Sequence, residues 1–285
     1  APFKKAYDVV PGGNWEGATI LNRSGRPELG SAEDEAALGR ARAILLESRR
    51  NRTPPARDDK TLADWNGLMI AALAEAGTAF AEPGWIAAAE RAFAAVLAAQ
   101  SDGARLFHSS CDGSTSGLGF LDDYAATARA ALGLHEATGG GAYLDRARSW
   151  MRELDAHFRD LERGGYYYAA AHGDDRLLVR PRHARDTAQP SGNGLAAEVL
   201  ARLSWADGSD ATRAAAQAVF DAFAGDVAHH PVALATLFNA YDVFAGAVQV
   251  AVIGVRGEPA AGALLRAAFA LPTMSRMIRV VAPGD

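Results

Sequence analysis

Cysteine is almost missing: Cys111 stands alone among 285 residues. A disulfide framework is excluded, and so is a thiolate metal cluster within one chain. A reduced compartment fits that usage, so the expected location is the cytoplasm. Positive charge is not in excess, since 29 Lys and Arg face 34 Asp and Glu for a net charge of -5. A nucleic-acid protein working through bulk basic charge is excluded. No apolar run approaches the roughly 18 residues of a membrane helix. The start, Ala1-Pro2-Phe3-Lys4, carries neither an initiator Met nor a signal-peptide pattern. It reads as a chain that begins partway along a longer protein.

What is present is alanine, roughly a fifth of all residues, in a composition with 49% hydrophobic and 22% charged residues. Alanine is the best helix former and lets helices approach closely. Helical periodicity dominates accordingly. Ser31 and Asp34 have capping-box spacing ahead of a helix over 32–49. Further helices are expected over 61–80, 85–99, 122–137, 142–158, 192–205, 210–223 and 231–244. The second carries Leu62, Trp65, Met69, Leu73 and Ala76 on one stripe. Gly139-Gly140-Gly141 is a strong helix stop.

The connections alternate. Short Gly-rich links are expected after the second, fourth, sixth and eighth helices; long ones follow the first, third and fifth. Arg105 to Gly113 reads as a short hairpin. Gly165 to Ala169 and Leu177 to Arg180, around Gly173-Asp174, read as another. Stacked helical hairpins with one decorated face describe an α/α toroid; an α-solenoid or irregular bundle is the alternative. Three helix starts repeat faintly, at Trp65-Asn66-Gly67, Asp122-Asp123-Tyr124 and Ser191-Gly192-Asn193. The C-terminus changes character: strands at 248–253 and 277–281 flank a helix at 258–270, a βαβ unit with parallel strands. Ala18 to Leu21 reads as one more short strand. The fold class is therefore mainly α, a toroid over 1–245 with a βαβ appendage over 246–285.

Three polar clusters open helices: Asp58-Asp59-Lys60, Asp122-Asp123-Tyr124, and Asp186 with Ser191 and Asn193. Each has a plain reading as a helix cap. In a toroid, however, alternate helices start at one mouth, and these groups would surround one pocket. Trp65, Tyr124 and Tyr166 to Tyr168 would add flat apolar surfaces. Carboxylates that accept hydroxyl hydrogen bonds, beside rings that cover a sugar face, suit a carbohydrate-like small molecule. Asp59 and Asp123 are the expected acid and base, a pair suited to glycoside hydrolysis. Asp58, Lys60, Trp65, Asn66, Asp122, Tyr124, Asp186, Ser191 and Asn193 are the expected substrate contacts. Sugar epimerisation needs an acid and a base, often His, and His183 with a second loop histidine is a candidate pair. No histidine spacing matches a metal motif, so neither a metal nor a cofactor is expected. Cys111 reads as incidental.

Arg57-Asp-Asp-Lys60 with Trp65-Asn-Gly-Leu-Met-Ile70, Gly119-Phe-Leu-Asp-Asp-Tyr-Ala125 and Pro190-Ser-Gly-Asn193 together resemble a known family. Gly12-Gly-Asn-Trp-Glu-Gly17 fits it too. It is the thioredoxin-domain-containing protein family that includes the spermatogenesis-associated thioredoxin-like protein. The resemblance implies an N-terminal thioredoxin-like domain followed by a six-hairpin toroid similar to the N-acylglucosamine 2-epimerases. This chain has no thioredoxin part, and eight countable helices rather than twelve imply an incomplete toroid. The resemblance leaves two functions open: a carbohydrate-active enzyme of hydrolase or epimerase type, or a non-catalytic module partnering the thioredoxin-like domain of the intact protein.

Overall fold

A computed structural model describes residues 2–172, 178–273 and 275–283. It divides into two compact units, Ala1–Asp58 and Asp59–Asp285.

The first unit holds α1 (Pro2–Ala6) and α2 (Ala32–Arg50). The capping residues act as expected, the Asp34 N–H donating to Ser31 Oγ at 3.1 Å and the Ser31 hydroxyl to the Asp34 carboxylate at 2.8 Å. The strand expected over Ala18 to Leu21 does not form, and only an isolated bridge joins Trp15 to Ala18. The cause is local: Asn14 holds the segment instead, accepting from the Ile20 N–H and donating to the Ile20 carbonyl. Gly13, at φ +79°, is obligatory, because a Cβ there would lie 2.3 Å from the Ala18 oxygen.

The second unit is built from helical hairpins. Its elements are β1 (Thr61–Leu62), α3 (Ala63–Ala79), α4 (Pro83–Gln100), β2 (Ser101–Asp102), β3 (Arg105–Cys111), β4 (Ser114–Leu118), α5 (Leu121–Thr138) and α6 (Gly141–His157). There follow α7 (Gly192–Asp207), α8 (Asp210–Val227), a 3-10 turn (Pro231–Leu234), α9 (Ala235–Gly246), β5 (Val248–Ile253), α10 (Pro259–Phe269) and β6 (Arg276–Val281). Helix α3 packs on α5, α5 on α7 and α7 on α9, while α4, α6 and α8 each lie outside their own partner. Inner helices are lined with small residues; Ala125, Ala126, Ala128, Ala130 and Ala131 of α5 are all buried. The expected hairpin is present, β3 pairing antiparallel with β4. The 165–180 hairpin centres on Gly173-Asp174, and with Leu177 these lie outside the described residues; Gly165 to Ala169 forms no strand, and Tyr168 N–H bonds to the Pro181 carbonyl.

Two further sequence expectations change. The helix expected from Pro231 begins as a 3-10 turn, and the α-helix starts only at Ala235, where Asp186 Oδ2 accepts the Thr236 N–H at 2.9 Å. The large-residue stripe of α3 is also not its buried face. Trp65 and Met69 are 61% and 60% exposed, whereas Gly67, Ile70, Ala74 and Gly77 are buried. Small residues decide this face because backbones meet there: a Cβ on Gly67 would lie 2.6 Å from the Ala126 carbonyl carbon. Gly67→Ala is therefore expected to destabilise the chain by about 1–3 kcal/mol in urea unfolding; a cost below about 0.5 kcal/mol would show that α3 and α5 can separate freely.

At the C-terminus β5 and β6 pair in parallel, with α10 as the crossover. Leu265, Ala268, Phe269 and Ile278 form its small core, against which Ala79 of α3 packs.

Candidate functional site

The starts of α3, α5 and α7 meet at one end of the helical arc, where Asp123 ties α3 to α5 and β3, and Asp122 reaches α7. It is the third residue of α5, and its carboxylate reaches back to accept the Phe120 N–H at 2.8 Å. The Asp64 N–H, at the start of α3, donates to Oδ1 at 3.1 Å. His108 of β3 completes the set, its Nδ1 lying 3.0 Å from Oδ2 and 3.1 Å from Oδ1. Asp123 is wholly inaccessible, and burial raises its carboxyl above the ordinary value against the opposing pull of His108 and the Phe120 N–H; when ionised it accepts from a proton on His108 Nδ1. The Asp123 hydrogen bond raises the His108 pKa above its ordinary value.

Asp122 has a different environment. Gln189 Nε2 donates to its Oδ2 at 3.3 Å, and the Gly192 N–H at the start of α7 also bonds to it. Burial, followed by the charges of Asp123 and Asp64, pushes its carboxyl up to about 6. Gly192 leaves it room, since a Cβ there would lie 2.2 Å from Asp122 Oδ1. Burial, then the charges of Asp122, Asp123 and Asp64, pushes the Tyr168 hydroxyl up to about 12. A row of rings borders these groups. Phe120 stacks on Tyr168 at 4.8 Å and 14°, His183 lies beyond Tyr168 at 6.5 Å and 18°, and His108 meets the edge of Phe120 at 5.2 Å. Exposed Trp65 follows Asp64 directly.

The other sequence candidates take varied positions. Asn193 accepts the Tyr166 N–H and donates to the Tyr166 and His183 carbonyls, all within 2.9 Å. Ser191 caps α7, and Asp186 accepts the Ser191 and Thr236 N–H groups. Asn66 donates to the Leu62 carbonyl. Tyr124 is buried, its hydroxyl accepting the Leu106 N–H. Of the tyrosine run, Tyr166 is core, Tyr167 lies under Arg180 and Tyr168 alone stands by the carboxylates. Asp58 belongs to the first unit; Asp59 and Lys60 are exposed just before β1. Asp64, Phe120 and Gln189 were not expected, and His108 was expected only as one of the loop histidines open to pairing with His183. Only the position of His108 on a hairpin gave any signal. Asp64, His108 and Asp123 also offer ligand atoms within 4.8 Å of one another, the one group of this kind among the described residues that could hold a cation.

No protein-family profile matches the chain. Spermatogenesis-associated protein 20 of Homo sapiens is 28% identical over 252 residues, covering 85% of this chain and 32% of that protein. Its Rattus norvegicus counterpart is 26% identical over 293 residues, covering 96% and 37%. The chain thus spans about a third of the length of the curated relatives it matches. Among solved structures, the GH76 α-mannanase BT2949 of Bacteroides thetaiotaomicron superposes at a TM-score of 0.54 with 14% identity, over 74% of this chain and 63% of that one. The fold is an α/α toroid. Similarity to spermatogenesis-associated protein 20 agrees with the motif resemblance, and the solved neighbours of this toroid are carbohydrate-processing enzymes. No helix among the described residues is long and apolar enough to cross a membrane.

Proposed function

We propose that the mouth of the toroid binds and processes a carbohydrate. The observation that carries this reading is the meeting of Asp64, Asp122 and Asp123 beside the Phe120–Tyr168 stack, with Asp122 held near 6. A carboxyl at that value is half protonated at pH 6 and still about a tenth protonated at pH 7, so a proton is available for general-acid work. Asp123 orients His108 from within and touches nothing outside, so it acts as a positioning residue. Asp59 is the second carboxylate to test, since it lies on the exposed approach to β1. Trp65 and the ring row supply the apolar surfaces on which a sugar ring rests. The α-mannanase that shares the fold supports the substrate class. The single cysteine favours a cytoplasmic setting.

The test is a thermal-shift screen of mono- and disaccharides. A ligand that binds only the folded chain raises the melting temperature, by about 2.7 kcal/mol of stability at a hundredfold excess over Kd. The shift is expected in wild type and lost in Trp65→Ala; a shift retained in that variant removes the mouth as the site.

A scaffold role is the second reading, favoured by Asn193, Ser191 and Asp186, whose hydrogen bonds close within the protein. In it, the toroid docks the thioredoxin-like domain that the resemblance implies for the intact protein. Absence of any saccharide-dependent shift, with binding to that domain, would favour it.

A further inference from the structure

At the far end of the inner helices from the mouth lies a second polar space. Glu75 of α3, Arg129 and Glu136 of α5, Glu198 and Arg202 of α7, and Arg276 of β6 line a cavity of about 90 Å³. Arg129 Nε and Arg202 Nε both donate to Glu198 Oε1 at 2.7 Å. Arg202 Nη1 donates to Glu136 Oε1 at 3.3 Å and to the Arg276 carbonyl at 3.0 Å. Arg276 pairs with Glu75. Three cations balance three anions, so the cavity presents no net charge for an ion to answer.

Its hydrogen-bonding capacity is not used up. Arg129 Nη1, Arg202 Nη2, Glu136 Oε2 and Glu198 Oε2 make no hydrogen bond among the described residues and are open to solvent. An occupant that displaces solvent here can accept from the guanidinium groups and donate to the carboxylates. A hydroxyl does both; a simple anion or cation does only one. Phe269, 4% exposed, adds an apolar ring to the lining, with the Arg276 guanidinium over it at 5.6 Å. Asn239 of α9 also lines the cavity and is exposed, so solvent reaches it. The volume holds roughly half a dozen waters, or the carbons and oxygens of a short chain.

We propose that this cavity is a binding site for a short neutral polyol, distinct from the mouth. The proposal does not rest on the carbohydrate reading of the mouth. Saturation-transfer NMR with erythritol and glycerol tests it. Wild type should transfer saturation to erythritol, Arg129→Gln should lower the transfer at least about fivefold, and Trp65→Ala at the mouth should leave it in place. Asn239→Trp fills the open side from an exposed position and should lower it as much, which decides the matter if Arg129→Gln fails to fold. No transfer in wild type, or equal transfer in wild type and Asn239→Trp, would overturn the proposal, leaving the space to ordered water.

Discussion

Asp123→Ala is expected to destabilise the folded chain by about 3–5 kcal/mol. The substitution removes the acceptor of the Asp64 and Phe120 N–H groups and of His108 Nδ1 in one step. Two of these donors are backbone groups at helix starts, with no water to replace the carboxylate because Asp123 is wholly inaccessible. Each orphaned donor costs about 1–3 kcal/mol. Urea unfolding at pH 7 reads the loss directly, and melting should fall by roughly 10 °C. A loss under about 1 kcal/mol would mean that Asp123 does not join α3, α5 and β3 as described.

The adjacent residue should behave in the opposite sense. Asp122→Asn is expected to stabilise the chain at pH 7 by about 2–3 kcal/mol, because two pH units of raised pKa correspond to nearly that free energy. The sign follows from proton binding. In the folded state the carboxyl titrates near 6, whereas an unperturbed Asp titrates at 3.8. Between those values the folded state holds the extra proton, so stability falls as pH rises from about 4 to about 6 and stays lower above. Asn carries no such penalty. The advantage of the variant should therefore vanish near pH 3.5 and reach its plateau above about pH 6.5. Unfolding curves for both proteins across that range check this. A pH-independent difference, or a destabilised variant at pH 7, would show that Asp122 is not forced up by its neighbours. Burial raises both carboxyls, and the two variants separate the group whose hydrogen bonds tie the helix starts together from the one whose charge costs more than its partners return.

Much of the fold was legible because its punctuation is local. Ser31, Ser191 and the Gly139-Gly140-Gly141 stop mark helix ends by chemistry that acts within a few residues. The βαβ unit was legible from its β-branched runs. The face of α3 was misread because Trp65 and Met69 outweigh Gly67 and Gly77 in any hydrophobic pattern, although close backbone approach, not side-chain size, decides which face is buried. The site was legible as a set of helix starts but not as contacts. Nothing in the chain near Asp123 points to His108, fifteen positions earlier on a different element. The ionic cavity is further from sequence reach, with Arg276 and Glu75 separated by 201 positions. Asn193 and Tyr124 were read as ligand groups because their polar atoms are visible in sequence and their internal partners are not.

The most direct test of the mouth as a carbohydrate site uses the indole resonances. The chain has 5 tryptophans, giving five indole N–H signals that single substitutions assign. Trp65 stands exposed beside Asp64, while Trp150 is fully buried away from solvent. Titration with a saccharide from the thermal-shift screen, followed by 15N correlation spectra, should move the Trp65 signal in a saturable way and leave Trp150 in place. Saturable movement of other indoles with Trp65 unmoved, or no movement at any concentration that raises the melting temperature, would contradict it.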